Sequence, residues 1–86
     1  MNDYFPTLVK SIAMMKTDLI IVGEVKPFAL EIFTIAGSLD TYGVDTFDLQ
    51  EATRDADVKE VIRLLEEGVK QAVQNNIDNY VNTYAY

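Results

Sequence analysis

The chain contains no cysteine, histidine or tryptophan, and each absence excludes a kind of chemistry. Without cysteine there is no disulfide, no thiolate nucleophile and no cysteine metal site. Without histidine the chain lacks the side chain that most often acts as a general base and that is a frequent zinc ligand. These absences favour a protein that is not an enzyme.

Motifs for nucleotide binding and acyl transfer are missing as well. The four glycines are isolated, and none falls in a phosphate-binding loop or a dinucleotide fingerprint. Ser11 and Ser38 are the only serines, and neither lies in the GxSxG pattern of esterase nucleophiles. The sequence therefore offers no candidate catalytic residue and no candidate cofactor-binding residue, and we expect no cofactor.

Carboxylates are the only abundant reactive groups. Asp40, Asp45, Asp48 and Glu51 lie close together in sequence, and their oxygens are ligands of the type that Ca²⁺ and Mg²⁺ prefer. Their spacing does not match the EF-hand loop, which needs alternating ligands, a central glycine and a late glutamate. Helix capping and an exposed surface explain the same residues, so we expect no metal site.

The surplus of negative charge is concentrated in the middle of the chain, whose net charge is −7. Residues 1–37 carry four acids and three bases, residues 38–67 carry nine acids and three bases, and residues 68–86 carry one of each. Such a field repels nucleic-acid phosphates and anionic membranes, so we expect neither as a direct partner. The same field keeps an apolar protein soluble, and it also fits a basic protein partner.

The 86 residues predict a single small domain, 1–86. Apolar residues make up 49% of the chain, which is typical of an ordered protein. The apolar stretch 19–36 includes Glu24, Lys26 and Glu31, and charges at the centre of a bilayer oppose a transmembrane span. The first ten residues lack the basic start of a secretory signal, so we expect a cytoplasmic protein.

Two proline and glycine pairs predict two helices in the first half of the chain. Pro6 is followed by Gly23, and Pro27 is followed by Gly37. Proline suits the first position of a helix, and glycine suits the residue just past its end. We therefore predict helices over 6–22 and 27–36.

A β-hairpin is the alternative for part of this region. The segments DLIIVGEV and FALEIFTI are rich in isoleucine, valine and phenylalanine, which favour strands. Paired about Lys26 and Pro27, they would form a hairpin over about 19–36 in an α+β fold. Polar stripes at helical spacing favour the helices, and a two-stranded hairpin needs a covering layer.

The middle of the chain predicts a short helix at roughly 46–54. Asp45 or Thr46 would cap it, because short polar side chains accept a hydrogen bond from the first free amides of a helix. Asp55 or Asp57 would cap the helix that follows.

The longest predicted helix lies in the C-terminal part of the chain. Apolar residues recur at helical spacing from Val58 to Val81, and charged residues cover the opposite face. Gly68 lies on or beside the apolar stripe, which is typical of close packing against a neighbouring helix. The fold class that we predict is all-α, with three or four helices and a long C-terminal helix.

Three short helices cannot easily enclose both the apolar second helix and the whole apolar stripe of the long C-terminal helix. Apolar surface should therefore remain exposed on a single chain, and this expectation predicts the function. We expect a small acidic structural or interaction protein that self-associates as a homo-oligomer through apolar helix faces. The expected interface residues are Phe28, Leu30, Ile32, Phe33, Ile35, Tyr80 and Tyr84.

An acidic inhibitor or adaptor is the alternative function. In that case the strip that includes Asp40, Asp45, Asp48 and Glu51 would bind a basic, nucleic-acid-handling protein by imitating phosphates. Salt separates the two functions, because binding through charges weakens steeply with ionic strength whereas apolar contacts tolerate it.

Overall fold

The computed structural model describes the backbone of residues 4–84 and the side chains of residues 5–75. Four α-helices follow one another along the chain: α1 Tyr4–Val22, α2 Ala29–Thr41, α3 Phe47–Arg54 and α4 Val58–Tyr84. The predicted all-α class is confirmed. No strand forms between residues 4 and 84, so the alternative hairpin at 19–36 is absent.

Helix α1 ends at residue 22, where the glycine predicts, and begins at Tyr4, two residues before the predicted start at Pro6. Gly23 has a positive φ of 76°, and its amide donates to the Leu19 carbonyl at 2.8 Å. This is the hydrogen bond by which a left-handed residue closes the C-terminus of a helix, and glycine adopts that conformation without steric conflict.

Helix α2 is longer than predicted. A short 3₁₀ turn at Lys26–Phe28 precedes it, and the helix continues five residues beyond the predicted end at residue 36. Gly37 therefore lies inside the helix, and Gly43 performs the ending role that the sequence reading gave to Gly37. Gly43 has a φ of 81°, and the Val44 amide donates back to the Leu39 carbonyl at 3.1 Å.

Aspartates begin the next two helices. At α3 the Asp45 carboxylate accepts a hydrogen bond from the Phe47 amide at 3.0 Å, whereas Thr46 makes no side-chain capping bond. At α4 the Asp57 carboxylate accepts from the Glu60 amide at 3.2 Å. Of the two candidates for each helix, Asp45 and Asp57 are the residues that cap.

Helix α1 runs antiparallel to α2, since Leu8 and Tyr42 line one cavity between them and Asp18 and Glu31 line the next. Lys16 of α1 lies 3.6 Å from Glu66 of α4, which places these two helices side by side. Helix α2 runs parallel to α4: Leu39 contacts the Gly68 position, and Asn75 donates to the Tyr42 carbonyl at 2.9 Å. Helix α3 packs on α2 and α4.

A single apolar core lies between these helices. Its fully buried large side chains are Ile12, Leu19, Val25, Ile32, Leu39, Val61 and Leu65. Every helix except α3 contributes to that group, and α3 adds Leu49 at 3% exposure. Open grooves lie between α1 and α2, between α1 and α4, and between α3 and the α2–α4 pair.

Candidate interaction surface

A group of large aliphatic side chains is exposed where α1 ends and α2 begins. Their exposed fractions are 68% for Ile20, 76% for Ile21, 46% for Val22 and 81% for Leu30. We call these four residues the end patch. Large aliphatic residues are usually buried, and adjacent exposed ones are typical of contact surfaces.

The helical geometry of α1 explains why the end patch is uncovered. Consecutive residues point about 100° apart around a helix, so Ile20, Ile21 and Val22 together span about 200° of its circumference. No single neighbouring helix can cover so wide an arc. Leu19, one residue earlier, is completely buried, so α1 leaves the core within one turn of its end.

The interface residues that the sequence predicts differ in their exposure to solvent. Leu30 is exposed, and Phe28 and Phe33 are half-buried. Ile32 and Ile35 are 0% and 7% exposed, because they lie on the face of α2 that meets the core. Ile32 is therefore not accessible to a second molecule on the folded chain, and Ile35 is exposed only slightly, between α1 and α2. The side chains of Tyr80 and Tyr84 lie outside the described residues.

Sequence reasoning missed three of the four residues of the end patch. Ile20, Ile21 and Val22 directly precede the glycine that ends α1. An apolar run that fills more than half of the last turn of a helix cannot all face the core. That run was the signal that could have identified the surface.

A groove runs between α1 and α2, and one end of its lining, at Asp18 and Glu31, is close in sequence to Ile20 and Leu30 of the end patch. Two adjoining cavities of about 320 Å³ each share Ser11, Thr34 and Ile35. The buried side chains Leu8, Met15 and Ile35 form the floor of the groove. Asp18 and Glu31 lie at the end near the end patch, and Tyr42 lies at the far end.

Small hydroxyl side chains line the rims of this groove. The Thr34 hydroxyl donates to the Leu30 carbonyl at 3.0 Å, and the Thr41 hydroxyl donates to the Gly37 carbonyl at 3.2 Å. Because these donors are already paired within α2, a covering molecule would not leave them without a partner. The groove therefore has an apolar floor, and the Thr34 and Thr41 hydroxyls on its rim keep their hydrogen bonds when another molecule covers them.

An aromatic pair closes the far end of the groove. The rings of Phe5 and Tyr42 are 5.2 Å apart and inclined at 67°, which is an edge-to-face contact. Both residues are half-buried, so part of each ring remains accessible.

The acidic residues proposed as a partner-binding strip are dispersed into helix ends and exposed surface. Asp45 caps α3, Asp48 lies in the first turn of α3, and Asp40 lies near the end of α2. Glu51 is exposed on α3. Among the described side chains, no three acidic residues are grouped closely enough to hold a metal ion.

One ion pair on α4 changes the pKa values of its partners. Arg63 donates to both carboxylate oxygens of Glu60, at 2.9 Å and 2.8 Å. These hydrogen bonds lower the pKa of Glu60 despite slight desolvation, and the Arg63 charge adds to the effect. The same carboxylate raises the pKa of Arg63. Both groups face solvent, so the pair is a surface feature of α4.

Comparisons with protein families, with curated proteins and with solved structures find no match to this chain. Within the described part of the chain, no helix has the length and apolar character needed to cross a bilayer.

Proposed function

We propose that this chain is a small, non-enzymatic structural or interaction protein that acts by self-association through the end patch. The observation that carries the proposal is the exposure of three consecutive branched apolar residues, Ile20 to Val22, at the end of α1 and of Leu30 in the first turn of α2. Among the described side chains, the two other exposed large apolar residues, Met14 and Phe47, lie singly on α1 and at the start of α3.

Charge supports a second copy as the occupant of the end patch. Residues 1–37, which include α1 and the start of α2, carry four acids and three bases and are close to neutral. Residues 38–67, which include α3 and the start of α4, carry nine acids and three bases. Two copies repel one another least when their near-neutral halves meet and their acidic halves point apart.

A basic protein partner is the competing occupant, and it would use the opposite surface. Positive charge would be drawn to α3 and the start of α4 rather than to the end patch. The surplus of acids in residues 38–67 is the feature that supports this second function, and binding by a basic partner is an outcome of the experiment.

Paired variants test the proposal. Ile21→Lys places a charge in the end patch, and lysine suits the C-terminal turn of a helix, so α1 should still form. Phe47→Lys is the matched control, since Phe47 is 62% exposed but lies at the start of α3, away from the end patch. Light scattering should show a lower mass for Ile21→Lys alone. An equal loss of mass in both variants, or in neither, would contradict the assignment of the end patch.

A further inference from the structure

The end patch alone is too small for a stable contact between two copies. Specific interfaces usually bury about 800 Å² on each partner, which takes roughly 20–30 residues a side. Four aliphatic side chains supply only a fraction of that area, so a stable dimer must extend onto a neighbouring surface. The groove between α1 and α2 is the apolar-floored surface that adjoins the end patch.

The groove is long enough and neutral enough to receive another helix layer. From Glu31 to Tyr42 it follows α2 for about 17 Å at 1.5 Å per residue. Between these ends its described lining carries hydroxyl and apolar side chains and no charge. Desolvation of this surface is therefore inexpensive in comparison with the acidic surface of α3 and α4.

Two symmetric arrangements would place the outer faces of two α1–α2 layers against each other. A twofold axis along the helices brings the two end patches together at the same end. A twofold axis across the helices places the end patch of one copy over the far end of the groove in the other. Charge decides between these arrangements.

The end of the layer that carries the end patch is acidic. Asp18, Glu24 and Glu31 lie there with two bases, Lys16 and Lys26, and Lys16 is paired with Glu66 of α4. The same-end arrangement would bring Asp18 and Glu31 of both copies to one level, and four carboxylates would meet in a partly desolvated contact. The far half carries Lys10 and Asp40, which balance. The acidic end therefore fits the far half of the partner better than it fits its own counterpart.

We propose that two copies dock with their α1–α2 layers antiparallel, so that the end patch of each copy covers the Phe5 and Tyr42 rings of the other. The half-exposed aromatic pair gives the end patch an apolar counterpart. This inference rests on the proposed function, because it names the geometry of the self-association. Met14, 60% exposed and midway along α1 between Thr7 and Ile21, then lies near the twofold axis.

Single cysteines test the geometry directly, because the natural chain has none. Met14→Cys should form a disulfide between copies under mild oxidation, since antiparallel docking brings the two positions together. An equimolar mixture of Ser11→Cys and Ser38→Cys reports the same-end arrangement, in which Ser11 of one copy would face Ser38 of the other. Gln71→Cys, exposed on α4, is the control for random collisions.

The outcomes separate this inference from the proposed function. Crosslinking of Met14→Cys well above the Gln71→Cys control, without crosslinking in the mixture, is the expected result. Crosslinking of the mixture alone overturns the antiparallel geometry and leaves self-association in place. A dimeric mass with no crosslink at either site also overturns the geometry, because the copies then use another face. A monomeric mass for the unmodified chain overturns the proposed function as well.

Discussion

Gly68 of α4 lies directly against Leu39 of α2: a Cβ atom at position 68 would be 2.8 Å from the Leu39 Cδ1 atom. Leu39 is 1% exposed, so its side chain has little room to move. Gly68→Ala should therefore lose about 1 kcal/mol of unfolding free energy. Overpacking of about 1–3 kcal/mol outweighs the gain of roughly 1 kcal/mol in helix propensity. Urea unfolding measures the change, and a more stable variant would show that Leu39 has room to rotate.

Gly37→Ala is the matched substitution with the opposite expectation. Gly37 lies inside α2, and a Cβ atom there would meet no atom within 4 Å. Alanine should therefore stabilise the fold by about 0.5–1 kcal/mol, because glycine loses more chain entropy on folding. Thermal unfolding at low protein concentration gives the comparison. Destabilisation would mean that α2 is strained at this position.

Ala56 holds a left-handed conformation that glycine usually occupies. It follows α3 with a φ of 56°, while the Asp57 amide donates back to the Ala52 carbonyl at 3.0 Å. Ala56→Gly should stabilise the fold by about 0.5–1 kcal/mol, since relief of the backbone strain exceeds the entropy that glycine adds to the unfolded chain. Ala56→Val should destabilise it, because a branched Cβ increases the strain. Equal stability of the two variants would contradict this account.

Glu60 should titrate below its ordinary pKa of 4.5, because Arg63 donates hydrogen bonds to its carboxylate. A lowered folded pKa means that the pair's contribution is present above the unfolded pKa. The contribution is then lost as the pH falls through the folded value. Carboxyl NMR of the unmodified chain and of Arg63→Gln checks this, and the pKa should rise in the variant. An unchanged pKa in Arg63→Gln would show that the pair does not persist in solution.

The sequence predicts a helix end correctly where a residue close to that end determines it. Gly23, Asp45 and Asp57 each act within a few residues of their own position, so propensity and capping identify them. The long helix is predictable because its apolar residues recur at helical spacing. The predicted close packing at Gly68 is also found, since Leu39 of α2 lies against that position.

The errors arose where a distant contact decides the outcome. The sequence predicts that the second helix ends at Gly37, but burial of Leu39 against the core stabilises the helix beyond that residue, as far as Thr41. The sequence also does not show which face of α2 meets the core, and it therefore does not reveal that Ile32 and Ile35 are buried. Only the packing of α1 and α4 reveals that Leu30 is exposed.

High salt should preserve self-association. Apolar contacts tolerate salt, and screening reduces the repulsion between chains that each carry a charge of −7. Neutralising Asp48 and Glu51 to Asn and Gln should leave the mass unchanged, since neither residue belongs to the end patch. Sedimentation at 0.05 M and 1 M NaCl makes the test. Dissociation at high salt would favour binding through charges, as the acidic-inhibitor alternative requires.

The most direct measurement is the mass of the unmodified chain in solution as its concentration rises, by light scattering in moderate salt. One chain has a mass of 9.7 kDa. The account predicts an average mass that rises with concentration toward twice that value and that stays low in Ile21→Lys. A mass that remains at one chain up to millimolar concentration would contradict it.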